Sequence, residues 1–119
     1  MDPFTCTGCI FQENLSPNYG SAIDNYRGYI TLEDCSFIKN TNTNTHSSYG
    51  AIRHYKDSAD TDVYLKMTNV RFRENTPHAL AIYDGTDNQP TLDFTDVFLL
   101  KDELCDPGEY GYLKWHDGW

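Results

Sequence analysis

Apolar and polar residues alternate over short stretches of the chain, as in Ile30-Thr31-Leu32, Leu65-Lys66-Met67 and Leu92-Asp93-Phe94. An alternation of two places successive apolar side chains on one face of a β-strand, whereas a helix needs a spacing of three to four. The pattern therefore predicts an all-β protein built from short strands.

The alternating stretches belong to a block of nine residues that occurs four times. In each copy the first, fourth and sixth positions are apolar, the third is Gly, Asp or Asn, and the ninth is Asn or Asp. The blocks begin at Cys6, Leu32, Met67 and Phe94. Between them a second motif recurs as Gly20-Ser21-Ala22-Ile23, Tyr49-Gly50-Ala51-Ile52 and Ala79-Leu80-Ala81-Ile82. The blocks begin 26 to 35 residues apart, and a sequence repeat of this period predicts structural units that stack on one another.

The third position of each block carries a residue type that tolerates a left-handed backbone, which a sharp corner between strands requires. We therefore predict corners at Gly8, Asp34, Asn69 and Asp96. Equivalent strands stacked one repeat apart would form a right-handed parallel β-helix of about three to four short coils.

Such a fold predicts interior columns of like side chains. The three expected columns are Ile23, Ile52 and Ile82; Leu32, Met67 and Phe94; and Phe11, Phe37, Phe72 and Leu99. A structural edge ladder is expected at the ninth positions, which are Asn14, Asn40, Asn75 and Asp102. Their side chains can bond the turn backbone.

The FxxN tetrads, Phe11 to Asn14, Phe37 to Asn40 and Phe72 to Asn75, alternate with the GGAI-like tetrads. This pairing resembles the repeats of chlamydial polymorphic outer membrane proteins and covers residues 6 to 102. The resemblance implies a fragment of a β-helical adhesin passenger, located outside the cell or on the outer-membrane surface. It implies a protein or glycan on a cell surface as the partner. We expect a monomer or end-to-end association, and no direct insertion of this fragment into a membrane.

Three segments are predicted along the chain. Residues 1-5 are expected to be vector-derived, residues 6-104 to form the repeats, and residues 105-119 to form an irregular aromatic cap or the start of a following module. An open end of stacked strands exposes unpaired edges, so the aromatic residues of the tail are expected to cover it. Trp115 in this segment is also a candidate binding residue.

Charge and composition exclude several classes of partner. The formal net charge is -9, which disfavours binding to nucleic acid or to anionic membrane surfaces. The apolar runs are only a few residues long, whereas a membrane-spanning helix needs about 20. The hydrophobic content of 39% is too high for a disordered acidic segment, so the chain should fold.

Candidate binding residues follow the Ala-Ile motifs. Arg53, His54, Tyr55 and Tyr83 are expected to form a binding surface near Asp24, and no catalytic residue is assigned. An Arg-Asp pair between neighbouring coils is equally explained as a structural contact, worth about 0.2 to 1 kcal/mol when exposed. The alternative is a fragment of a carbohydrate-active β-helix enzyme, such as a polysaccharide lyase, hydrolase or epimerase.

Two further groups of residues could carry chemistry. A calcium ion could be bound by carboxylates of two neighbouring loops, from Asp57, Asp60, Asp62, Asp84 and Asp87, although a solvated acidic loop without any cofactor is the preferred interpretation. Cys6, Cys9 and Cys35 fall on apolar columns, which favours buried thiols over disulfides. Cys105 lies outside the repeat, and its partner is expected beyond this chain.

Overall fold

A computed structural model of the protein describes residues 3–26, 28–44, 49–56, 63–84, 91–105 and 114–118. These residues contain no α-helix, and a three-residue 3-10 helix lies at Lys101–Glu103. The prediction of an all-β protein is confirmed. Nowhere in the described part of the chain is there a helix of the length and hydropathy needed to cross a membrane.

The strands are short and follow the repeat. They are β1 Phe4–Thr7, β2 Ile10–Gln12, β3 Leu15–Ser16, β4 Gly20–Asn25, β5 Tyr29–Glu33, β6 Ser36–Ile38, β7 Thr41–Asn42, β8 Gly50–Lys56, β9 Tyr64–Arg73, β10 Leu80–Asp84, β11 Leu92–Leu99, β12 Leu104–Cys105 and β13 Lys114–Asp117.

Among the described residues all strand pairs are parallel, and the strands form three sheets. Sheet A has the order β1-β5-β9-β11-β13, with β2 and β6 joined to its side through β9. Sheet B has the order β4-β8-β10-β12, and sheet C consists of β3 and β7. Paired residues lie 18 to 35 positions apart along the chain, from 115-97 and 64-29, so each sheet joins segments that are distant in sequence.

The predicted corners are present. Gly8, Asp34, Asn69 and Asp96 have φ angles of 70°, 53°, 53° and 55°. The corner changes the phase of the alternation, because the inward side chains on either side of it are three residues apart, as with Met67 and Val70. The segments before and after each corner therefore point apolar side chains at the same core, and at Asn69 and Asp96 the corner lies within a continuous strand, β9 or β11.

The core consists of columns of like residues on successive strands. Leu32 pairs with Met67, which pairs with Phe94, and all three are buried. Phe37 lies between two further phenylalanine rings, with ring centroids 4.5 Å from Phe11 and 4.9 Å from Phe72. Burial of such side chains contributes roughly 1.5 to 3 kcal/mol each, and this is the main source of stability.

The predicted column of three isoleucines is wrong in its last member. Ile23 pairs with Ile52, but Ile52 pairs with Leu80, and Leu80 pairs with Leu104. Ile82 instead lies opposite His54. A shift of two residues keeps every side chain on its original face, so the alternation alone could not detect it.

The ninth positions of three repeats form a hydrogen-bonded ladder. Asn14 donates its side-chain amide to Oδ1 of Asn40 at 2.9 Å, and Asn40 donates to Oδ1 of Asn75 at 2.9 Å. The amides of Asn40 and Asn75 also donate to the carbonyl oxygens of Phe11 and Phe37. These bonds satisfy buried polar groups beside the phenylalanine column.

Asp102 does not extend this ladder, which corrects its assignment as a structural rung. Asp102 is exposed in the 3-10 helix, and among the described residues the ladder hydrogen bonds end at Asn75. The neighbouring Glu103 carboxylate instead accepts hydrogen bonds from the backbone N–H groups of Leu100 and Glu74. The 3-10 helix brings Glu103 rather than Asp102 toward the end of the ladder.

The C-terminal segment contains regular structure where an irregular cap was expected. β12 pairs with β10 and crosses the predicted boundary at residue 105, and β13 pairs with β11. Trp115 lies opposite Val97 and packs half-buried against the core. The described part of the tail therefore adds strands to sheets A and B, and Trp115 covers the core in doing so.

Candidate functional site

The outer face of sheet B brings together charged and aromatic side chains from two neighbouring strands. On β4 and β8, Asp24 lies opposite Arg53. On β10 the residue opposite Arg53 is the small Ala81, and Tyr83 lies opposite Tyr55. The sequence repeats placed Tyr83 opposite Arg53, because each directly follows the isoleucine of its motif. That expectation is wrong by two residues, as it is for Ile82.

A bulge in β4 adds a further aromatic residue to this face. Gly20 pairs with Gly50 but Ile23 pairs with Ile52, so β4 has one residue more than β8 between the two pairs. A side chain at Gly20 would collide with the backbone of Ile23, so only glycine fits. Tyr19 directly before the bulge has a left-handed φ of 52° and lies against Arg53.

Arg53 is held by an acidic residue and covered by aromatic rings. Its Nε–H donates to Oδ1 of Asp24 at 2.8 Å, and only 10% of its side chain is exposed, against 35% for Asp24. The guanidinium carbon lies 3.9 Å from the ring centroid of Tyr19 and 5.0 Å from that of Tyr55. Cation-π contacts of this kind contribute about 0.5 to 2 kcal/mol each.

Three tyrosines form a row across sheet B beside Arg53. The centroids of Tyr26 and Tyr55 are 5.4 Å apart, and those of Tyr55 and Tyr83 are 4.9 Å apart with nearly parallel rings. Tyr26 and Tyr83 are exposed. The row therefore presents aromatic surface and phenol groups to solvent on three successive strands.

Part of this surface is concave. A cavity of about 430 Å³ is lined by Tyr19, Asp24, Tyr26, Arg53 and Tyr55. We call these five residues together with Tyr83 the tyrosine face. The cavity volume is in the range of natural ligand pockets, which are concave and combine apolar walls with a few polar groups.

His54 does not belong to the tyrosine face, contrary to the sequence-based assignment. Its side chain is fully buried, and Nδ1 lies 3.3 Å from the amide nitrogen of the buried Asn25. Asn25 also donates to the carbonyl oxygen of Tyr64. Ile52 points inward, and on a β-strand the side chain two residues later points to the same side. His54 therefore faces the interior, where it contacts Asn25.

Tyr19 and Tyr26 had been left out of the predicted binding set, although the sequence carries a signal for each of them. Tyr19 and Tyr49 both precede a glycine of the second motif, and their rings meet edge to face at 5.5 Å. The repeated Tyr-Gly pair therefore indicated two tyrosines on neighbouring strands. Tyr26 and Tyr55 each lie three residues after the isoleucine of the second motif, and their rings stack side by side.

The remaining predicted site residues lie elsewhere. Trp115 belongs to sheet A and is not brought to the tyrosine face. The proposed calcium ligands lie outside what the structure describes. The described residues do not include Asp57, Asp60, Asp62 or Asp87, nor the side chain of Asp84. The calcium site therefore stays a prediction.

The outer face of sheet A offers a contrasting pair of tyrosines. Tyr29 and Tyr64 have ring centroids 6.2 Å apart with tilted planes, and the Tyr64 hydroxyl donates to Asp93 at 3.3 Å. Burial, together with the adjacent Asp93 carboxylate, raises the pKa of Tyr64. This pair lies on a different sheet from Arg53, and it provides a matched control for the tyrosine face.

The cysteines depart from the expectation of free buried thiols. Cys6 and Cys9 form a disulfide with Cα atoms 6.2 Å apart, while Cys35 is a buried free thiol. The corner at Gly8 turns the chain so that side chains three residues apart reach one another. The expectation is therefore wrong for Cys6 and Cys9 and confirmed for Cys35; the side chain of Cys105 lies outside the described residues.

Comparison with known proteins identifies no relative: no family model, curated protein or solved structure matches the chain.

Proposed function

We propose that this chain is part of a right-handed parallel β-helical module that acts outside the cell, and that it binds a partner on a cell surface through the tyrosine face. Support for the architecture comes from parallel strand pairs separated by one repeat and from corners at equivalent positions. Parallel strand connections are right-handed in nearly all proteins. Secreted and surface proteins retain disulfides, so the Cys6–Cys9 bond agrees with this location.

One observation carries the proposal of binding: the concave cluster of Arg53 with Tyr19, Tyr26 and Tyr55 on an exposed sheet face. Tyrosine and arginine are the residue types most enriched at the energetic centres of protein interfaces. Tyrosine presents a large, rigid ring and a hydrogen-bonding tip, and little conformational entropy is lost when it is covered. We infer that a protein partner is favoured.

The arrangement favours binding over catalysis. Most glycoside hydrolases need two carboxyl groups placed on either side of the scissile bond. Of the described residues that line the cavity, Asp24 is the one carboxylate, and Arg53 holds it in an ion pair. An adhesin or passenger-type module of the kind found in polymorphic outer membrane proteins therefore accounts for the face better than a glycoside hydrolase does.

The test is adhesion of beads coated with the purified chain to cultured epithelial cells. Tyr55→Ala should reduce adhesion about tenfold or more, since a residue at the centre of an interface contributes about 2 kcal/mol. The control, Tyr29→Ala, removes a tyrosine of the sheet A pair and should leave adhesion unchanged.

Treatment of the cells before binding identifies the class of partner. Loss of adhesion after protease treatment, with retention after glycosidase treatment, supports a protein partner, and the reverse result rejects that assignment in favour of a glycan. Equal effects of Tyr55→Ala and Tyr29→Ala would reject the tyrosine face itself.

A further inference from the structure

Three cysteines replace apolar core residues at one end of the stacked strands. Cys6 and Cys9 occupy the two positions on either side of the first corner. The equivalent positions in later repeats hold Leu32 and Cys35, Met67 and Val70, and Phe94 and Val97. The later repeats show that apolar side chains can fill these positions. Packing therefore does not explain why three of the four positions in the first two repeats are cysteines, whereas a chemical role for sulfur would.

The backbone brings Cys35 next to the other two. The N–H of Ser36 donates to the carbonyl oxygen of Cys9 at 3.0 Å, and Cys9 and Cys35 occupy equivalent positions directly before the paired strands β2 and β6. The thiol of Cys35 donates to the carbonyl oxygens of Cys6 and Glu33. The three Sγ atoms all lie within 4.8 Å of one another.

Once the Cys6–Cys9 bond is reduced, three sulfur atoms this close together can converge on one metal ion. Zinc bonds sulfur at about 2.3 Å in tetrahedral geometry, which sets sulfur atoms roughly 3.8 Å apart. Thiolate sulfur selects soft or borderline cations such as Zn²⁺ over Mg²⁺ or Ca²⁺. Cys35 is buried, whereas Cys6 and Cys9 are half-buried, so the cluster has both a fixed ligand and a path to solvent.

We propose that Cys6, Cys9 and Cys35, when all three are reduced, bind a thiophilic divalent cation such as Zn²⁺ through their sulfur atoms, with an open fourth position. The site is independent of the proposed function, because the tyrosine face lies on sheet B and the cysteines lie beside sheet A.

Metal binding and the disulfide are alternative states of the same cluster. Reduction of the Cys6–Cys9 bond by a dithiol or phosphine takes two electrons and two protons and yields two thiols, while the reductant is oxidised. Together with Cys35, the cluster then has three thiols, which release their protons as the metal–sulfur bonds form. The oxidised protein retains only the Cys35 thiol and should not bind the cation.

The test is titration of the reduced full-length chain with Co²⁺, a spectroscopic substitute for Zn²⁺, after removal of excess reductant under anaerobic conditions. One equivalent should produce a thiolate-to-cobalt absorption band, and one equivalent of Zn²⁺ should abolish it. Zn²⁺ should also raise the melting temperature of the reduced protein through binding linkage, with no rise for the oxidised protein.

Two single variants make the test specific. Cys35→Ser retains a hydroxyl that can donate to the same two carbonyl oxygens, so it should fold and should lower the Co²⁺ affinity at least tenfold. Its far-UV circular dichroism must match that of the wild type. Cys105→Ser changes the fourth cysteine, which lies on β12 of sheet B, and should leave the band intact.

The proposal is overturned if the reduced wild type gives no thiolate band, if folded Cys35→Ser binds Co²⁺ as tightly as the wild type, or if Cys105→Ser abolishes the band.

Discussion

The phenylalanine column inside the fold and the tyrosine row outside it have almost the same geometry. Ring centroids are 4.5 and 4.9 Å apart along Phe11, Phe37 and Phe72, and 5.4 and 4.9 Å apart along Tyr26, Tyr55 and Tyr83. Both rows arise because parallel strands place equivalent residues next to each other. They differ in solvent exposure, since Phe37 and Phe72 are buried whereas Tyr26 and Tyr83 are exposed.

This difference separates what stabilises the fold from what is available for binding. A buried ring gains the hydrophobic free energy of transfer from water as well as its ring contacts. An exposed ring gains mainly the contact with its neighbour, about 0.5 to 1.5 kcal/mol. The inner row is therefore needed for the fold, and the outer row can serve a partner without much loss of stability.

The largest expected effect comes from truncating the inner row. Phe37→Ala should lower the free energy of unfolding by about 3 to 5 kcal/mol, because the cavity lies between two rings and cannot collapse easily. Tyr55→Ala, at the middle of the outer row, removes two ring contacts and the contact with Arg53 and should lower it by less, about 1 to 3 kcal/mol. Urea denaturation measures both values, and equal losses would contradict the comparison.

A smaller and opposite effect is expected at a second set of corners. Glu13, Lys39 and Glu74 precede the asparagines of the ladder and have φ angles of 56°, 54° and 57°. A left-handed backbone costs a residue with a side chain roughly 1 to 2 kcal/mol, but glycine adopts it freely. Lys39→Gly should therefore raise the free energy of unfolding by up to about 1 kcal/mol in urea denaturation.

The contacts of Lys39 do not offset this gain. Its ion pair with Glu74 is 3.9 Å long between side chains that are about half exposed, and such pairs contribute little. The control is Arg73→Gly. Arg73 is the last residue of β9, next to the corner at Glu74 but without a left-handed backbone, so glycine should lower the free energy of unfolding there by about 0.5 to 1 kcal/mol. Destabilisation by Lys39→Gly equal to that of Arg73→Gly would mean that the corner is not strained.

The smallest expected effect is a pH dependence at Glu103, next to the end of the buried ladder. Burial raises the pKa of Glu103, and the negative charges of Asp102 and Glu74 add to the rise, while hydrogen bonds from the backbone of Leu100 and Glu74 oppose it. Because the folded pKa lies above the unfolded one, the contribution of Glu103 to stability is present below the unfolded pKa and is lost as pH rises through the folded pKa.

Glu103→Gln should remove this dependence. The free energy of unfolding of the wild type, relative to Glu103→Gln, should fall as pH rises from about 4, near the ordinary glutamate pKa, through the raised pKa of the folded protein. Denaturation at several pH values measures the difference, and a constant difference would show that Glu103 titrates normally.

The two sets of corners show how far the sequence could be interpreted. At Gly8, Asp34, Asn69 and Asp96 the residue types themselves favour a left-handed backbone, so these corners were predictable. Glutamate and lysine have no such preference. The corners at Glu13, Lys39 and Glu74 are imposed by the asparagine ladder and by strand pairing, as in the hydrogen bond from Lys39 N–H to Arg73 O.

The candidate site was predictable only in part, for a related reason. Alternation correctly placed Arg53 and Tyr55 near the outer face but could not fix their partners, since a shift of two residues leaves both faces unchanged. The hydrogen-bonded register decided that Arg53 lies beside Ala81 and that Tyr55 lies beside Tyr83. The bulge at Gly20, which brings Tyr19 against Arg53, involves backbone contacts that no side-chain pattern records.

The sequence alone thus determined the strands, the first set of corners and the aromatic and asparagine ladders, because these follow from local alternation and from the conformational preferences of single residues. The tertiary structure decided the register of sheet B, the inward position of His54, the pairing of Cys6 with Cys9 and the shape of the tyrosine face. Each of these depends on contacts between residues that only the stacking of strands brings together.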